Sequence, residues 1–171
     1  MTHQETANWI NGNLDDESAK VLMMFIDYLY ENEFAFDGEN ISYRGCGVGL
    51  IHIYAKDDWW IYLNHDVFEH EKFPFDEEMT EFMRSQAKLH TWCSSNCKKC
   101  NKNSETPEQY MFFGKTYDNI CKNCRLSFGR FNTEEVKTID PELCFTVERM
   151  KKALKAMHVC KQIIEYKQRT E

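Results

Sequence analysis

The sequence predicts an α+β fold: an antiparallel sheet (a meander) with packed helices, a zinc-ribbon-like loop and a long C-terminal helix. Three observations carry this. Apolar residues recur at helical spacing near both ends of the chain. Between residues 41 and 64 they give way to two-residue alternation rich in β-branched and aromatic side chains. Five of the eight cysteines then crowd into residues 93–124. The 171 residues suit one ordinary domain, read as 1–171, with 93–124 as a metal-stapled excursion. No internal repeat or low-complexity segment interrupts it.

Taken in order, the first element is a helix capped by Asn13 or Asp15. Asp15, Asp16 and Glu17 suit its positive N-terminal end. Leu22, Phe25, Ile26 and Leu29 form its apolar face, and it should run to about Glu31. Three strands follow, in ISYR, GLIHIYAK and DWWIYLN. Ile51, Ile53 and Ala55 point one way, and Leu50, His52 and Tyr54 the other. Trp59, Ile61 and Leu63 likewise oppose Trp60, Tyr62 and Asn64. The glycines of Gly45-Cys46-Gly47-Val48-Gly49 mark a turn or bulge. They are not a phosphate loop, because a strand and no helix follows them.

A second helix should start at Asp76, with Met79, Phe82, Met83 and Leu89 on its apolar face, and lead directly into the cysteines. QYMFFG and RLSFGRF read as short strands. Asp140 and Pro141 open a final helix reaching about Lys167. Its stripe of Leu143, Val147, Met150, Leu154 and Met157, continued by Lys161 and Ile164, has two readings. It is either a face packed on the sheet or a homodimer seam. Packing is preferred, because Lys161 interrupts the seam.

Composition narrows the function classes. No apolar run of membrane-spanning length occurs, so no membrane partner is expected. MTHQETANWINGNLDDES lacks the basic and apolar regions of a signal peptide, and a cytoplasmic location with reduced thiols is expected. Net charge is −7 and uneven. Residues 1–92 carry 6 basic and 18 acidic side chains, while residues 93–130 carry 7 and 3. The acidic body disfavours nucleic acid. A nucleic-acid-binding zinc ribbon, working through Lys98, Lys99, Lys102, Lys122 and Arg125, is a lesser alternative. The lysines also offset the negative charge of a thiolate site.

Cys97-x2-Cys100 and Cys121-x2-Cys124 are two hooks, each bending the backbone so that both sulfurs face one point. Four thiolates in tetrahedral array suit structural zinc and leave no open position for catalysis. Cys93-x3-Cys97 is also a usable hook, so Cys93 is the alternate ligand. A thiol-dependent redox enzyme, using Cys93 or one C-x2-C, is the competing reading, but the helix N-terminus that a redox C-x2-C needs is not evident. Cys46, Cys144 and Cys160 are isolated and read as small buried hydrophobes. His65, Glu69, His70 and Glu71 match no helical metal motif and read as a solvated acidic loop. No nucleophile elbow or Walker loop is present.

The strand aromatics suggest recognition. Tyr43, His52, Tyr54, Trp60 and Tyr62 are candidate ligand-binding residues for a small apolar or aromatic compound, provided one sheet face stays uncovered by helices. The expected protein is a non-enzymatic binding or interaction protein, a ligand sensor with a structural zinc site of four cysteines.

FFGKTYDNIC (Phe112 to Cys121), followed by a short strand and a helix, resembles a family of small uncharacterised bacterial proteins with a cysteine loop and an FGK-x-x-DN-x-C motif. Phe113, Gly114, Lys115, Asp118, Asn119 and Cys121 carry the resemblance, which covers the C-terminal half. It implies a layout of sheet, cysteine loop and motif, and no catalytic residues. The helix–meander–helix layout is similar at fold level to effector-binding and frataxin-like domains.

Overall fold

A computed structural model describes residues 1–68, 73–87, 91–92, 105, 110–117, 125–130 and 147–171. Its first helix, α1 (His3–Asn13), is not expected from apolar periodicity. Its start is fixed by a capping box. The Glu5 amide donates to the Thr2 hydroxyl, and the Thr2 amide donates to the Glu5 carboxylate at 2.7 Å. Helix α2 (Asp16–Glu31) starts as predicted at Asp15, whose carboxylate accepts from the Ser18 amide at 2.7 Å. It stops without glycine. Glu33 takes a left-handed φ of 65°, and the Phe34 amide reaches back to the Leu29 carbonyl at 2.9 Å.

The sheet follows. Strands β1 (Ala35–Phe36), β2 (Asn40–Tyr43), β3 (Cys46–Ala55) and β4 (Asp58–Asn64) form an antiparallel meander. Two later strands complete it, β5 (Thr91–Trp92) and β8 (Arg125–Arg130), in the order β1-β2-β3-β4-β8-β5. Thr91 and Trp92 therefore extend the sheet, where the sequence suggests a helix running into the cysteines. Strand β8 offers them paired backbone groups, with Thr91 opposite Leu126 and Trp92 opposite Arg125. A separate hairpin joins β6 (Tyr110–Phe112) to β7 (Lys115–Tyr117).

Two tight turns share one chemistry. Arg44-Gly45 joins β2 to β3, and Phe113-Gly114 joins β6 to β7. Both residues of each turn have positive φ, as a two-residue type I′ connection requires. Phe113 and Gly114 of the FGK motif are thus a hairpin turn. The glycine-rich stretch is a bulge, as expected: Ile41 pairs with Gly49 and Ser42 with Gly47, leaving buried Val48 as the extra residue. A side chain at Gly49 would collide with the Tyr62 carbonyl of β4.

One face of the sheet forms the core. Ile51, Trp59, Ile61 and Leu63 are all 1% exposed or less. Against them pack Leu22, Phe25, Ile26 and Leu29 of α2, together with the last helix, α4 (Val147–Thr170). On α4 Val147 of the predicted stripe is 47% exposed at the helix start, but from Met150 on the stripe is a core face, with Met150, Met157 and Ile164 buried and Leu154 packed beside them. These side chains are therefore occupied within the chain, and the residues between them, such as Ala153, Ala156 and Cys160, are buried too. Helix α3 (Glu77–Ala87) begins where Asp76 accepts from the Met79 amide at 2.7 Å. It adds Met83 to the core, with Met79 and Phe82 at its margin. Leu89, Asp140, Pro141 and Leu143 lie outside the described residues. Among the described residues no helix is long and apolar enough to cross a membrane.

Candidate functional site

Strands alternate, so a sheet with one face in the core presents every second residue to the other. On β3 and β4 those residues are Leu50, His52 and Tyr54, and Trp60, Tyr62 and Asn64. The register joins them, with Leu50 opposite Tyr62 and His52 opposite Trp60. Four of the five predicted ligand-binding residues thus fall on one surface. The His52 and Tyr54 rings meet edge to face at 4.2 Å. The Trp60 and Tyr62 rings lie parallel within 2°, with centroids 5.5 Å apart. Tyr54 is 55% exposed, His52 and Trp60 are half-buried, and Tyr62 is buried yet stands outside the main core. The surface is graded, from a wet edge at Tyr54 to a dry end at Tyr62. Beyond it, Tyr62 pairs with Ser127, Asn64 with Arg125 and, across a bulge, Trp60 with Arg130.

Such a surface offers π-faces and ring edges to a flat apolar partner, with the imidazole of His52 as donor or acceptor.

Tyr43 does not join this group. It shares the inward face of β2 with Ile41 and is 1% exposed. Its ring packs 4.7 Å from Phe34, and its hydroxyl donates to Glu165 Oε1 of α4 at 2.6 Å. Arg44 and Lys161 bring cationic groups within 5.3 and 5.5 Å of the ring centroid. Lys161, the residue that breaks the apolar stripe of α4, also donates to Asn32 Oδ1 at the end of α2, at 3.4 Å. Tyr43 is therefore a latch between the β2–β3 hairpin and α4. Burial first, then the hydrogen bond and charge of Glu165, push its pKa up to about 12. Tyr28 is likewise pushed up to about 12, mainly by burial, with Cys160 and Tyr43 adding to it. The signal for this was available: Ile41 and Tyr43 sit two apart on one strand, and an apolar Ile41 marks their shared face as inward.

Cys160 is buried, as expected. Cys46 is exposed, which corrects its reading as a buried hydrophobe. It follows the β2–β3 turn, where the strand pair has only just begun, and the described residues leave it open to water. Cys93, Cys97, Cys100, Cys121, Cys124 and Cys144 lie outside the described residues, as do Asp118 and Asn119 of the FGK motif and Glu69, His70 and Glu71. The donor set itself fits zinc: five thiolates within 32 residues, flanked by lysines. Among the described residues no group of three or more His, Cys, Asp or Glu side chains is arranged to hold a metal.

No protein-family model matches the chain, and no curated protein or solved structure is similar to it.

Proposed function

We propose that the protein is a non-catalytic binding protein. The outer sheet face, His52, Tyr54, Trp60 and Tyr62, recognises a small apolar or aromatic compound. The cysteine-rich segment is closed by a structural zinc ion held by thiolates. The observation that supports recognition is the graded aromatic surface: four rings share one face, and the rings of Tyr54 and Trp60 are partly open to solvent. Zinc supplies folding energy to a polar loop with little apolar surface to bury.

Recognition is tested by thermal shift and tryptophan fluorescence against a panel of flat aromatic compounds. A compound that raises Tm for the native protein, and fails to do so for Trp60→Ala, supports the reading. Equal shifts in both proteins would exclude this face as the site. The zinc reading is tested by metal analysis of the purified protein, where a metal-free, fully folded chain counts against it.

A further inference from the structure

The aromatic rows of β3 and β4 bring almost no formal charge of their own. Strand β3 holds no Asp, Glu, Lys or Arg, and β4 holds one such residue, Asp58. Asp58 lies two places before Trp60, is 6% exposed and is engaged within the chain, so its carboxylate is not offered to a ligand. The charge comes from the next strand. Strand β8 reads Arg-Leu-Ser-Phe-Gly-Arg, with two cationic residues and no acidic one. Its register with β4 sets Arg125 opposite Asn64, Ser127 opposite Tyr62 and, across the bulge, Arg130 opposite Trp60. Positions directly opposite each other in an antiparallel pair belong to one face of the sheet. An arginine position thus stands beside each end of the Trp60–Asn64 row. Arginine keeps its charge at any working pH. Residues 1–92 carry 6 basic and 18 acidic side chains, so this strand runs against the charge of the body around it.

We propose that the compound recognised on the outer face is an aromatic carboxylate. This rests on the recognition reading above and specifies its ligand. The planar ring system meets the rings of His52, Tyr54, Trp60 and Tyr62, and the carboxylate is drawn to the arginine-bearing strand. A carboxylate and a guanidinium match as two planar forks, and charge-assisted hydrogen bonds are about twice as strong as neutral ones. An aromatic alcohol of the same shape keeps the ring contacts and loses that attraction. An aromatic amine gains from the negative π-faces but meets two like charges on β8.

The test uses three probes that share one ring system and differ in charge: 2-naphthoate, 2-naphthylmethanol and 2-naphthylmethylammonium. Each is titrated into the native protein at neutral pH, with binding read by tryptophan fluorescence and by thermal shift. The naphthoate is expected to bind about tenfold or more tightly than either of the others. If the alcohol binds as tightly as the naphthoate, or the ammonium compound binds best, the proposal fails and the recognition reading survives. If none of the three binds, both fail together. A second arm repeats the titrations on the double variant Arg125→Gln, Arg130→Gln. The advantage of the naphthoate over the alcohol should disappear while binding of the alcohol is kept. An undiminished advantage in the folded variant overturns the role given to β8, and the three-way comparison on the native protein stands whether or not the variant folds.

Discussion

The two faces of strands β3 and β4 share one backbone and differ in almost everything else. The inner face carries Ile51, Trp59, Ile61 and Leu63, each essentially without solvent contact, under α2 and α4. The outer face carries His52, Tyr54, Trp60 and Tyr62, which range from buried to 55% exposed. Trp59 and Trp60 are neighbours in sequence, yet one is a core residue and the other half-buried. The difference teaches that residue type alone does not assign a role in a sheet. The parity of the position does, because a strand turns each successive side chain over.

The largest effects should come from the inner face. Trp59→Ala removes a fully buried ring and should cost about 3–5 kcal/mol, measured by urea denaturation. Gly49→Ala tests the backbone beneath that face. Its new Cβ meets the Tyr62 carbonyl, so the β3–β4 pair must separate, at a cost of about 1–3 kcal/mol. A Trp59→Ala protein as stable as Trp60→Ala would erase the distinction between the faces.

Tyr43 sharpens the comparison, since a tyrosine on the inner face behaves unlike those on the outer one. Tyr43→Phe keeps the ring and loses the hydrogen bond to the Glu165 carboxylate, which should cost about 1.5–3 kcal/mol. The pH dependence has a definite sign. Tyr43 and Tyr28 bind their protons more tightly folded, near pH 12, than at the ordinary value of 10.0. Their contribution is complete below pH 10 and is lost as pH rises from about 10 to about 12. Denaturation at pH 9 and pH 11 should therefore show lower stability at pH 11, with a smaller drop in Tyr43→Phe. An equal drop in both proteins would remove Tyr43 from the alkaline transition.

How far the fold could be read from the sequence depended on which signals are local. The caps at Asp15 and Asp76, the alternation of β3 and β4 and the apolar stripe of α4 rest on residues a few positions apart, and each reappears in the structure. Helix α1 escapes such a reading because its apolar pattern is weak, although Thr2 and Glu5 carry the capping-box signature. The two-residue strands β1 and β5 escape it for another reason. Ala35–Phe36 and Thr91–Trp92 are too short to show a period, and each is a strand only because a distant partner pairs with it. The Tyr43 latch has the same origin: its partner Glu165 is 122 positions away. The grouping of His52, Tyr54, Trp60 and Tyr62 was legible because parity places them together before any tertiary contact forms.

The smallest expected effect is the most discriminating. Tyr54 is 55% exposed, and its one described ring contact is with His52. Truncating such a residue should change stability by no more than about 0.5 kcal/mol. If the outer face is a recognition surface, Tyr54→Ala should nonetheless weaken the thermal shift given by any aromatic compound the native protein binds, because Tyr54 is the most open ring of the group. Trp60→Ala, acting at a more buried position, should alter both stability and binding, so it cannot separate the two roles alone. Tyr54→Ala can. Unchanged stability with a diminished shift would mark the outer face as a surface kept for a partner. Unchanged stability with an unchanged shift would move the site away from the wet edge of the sheet.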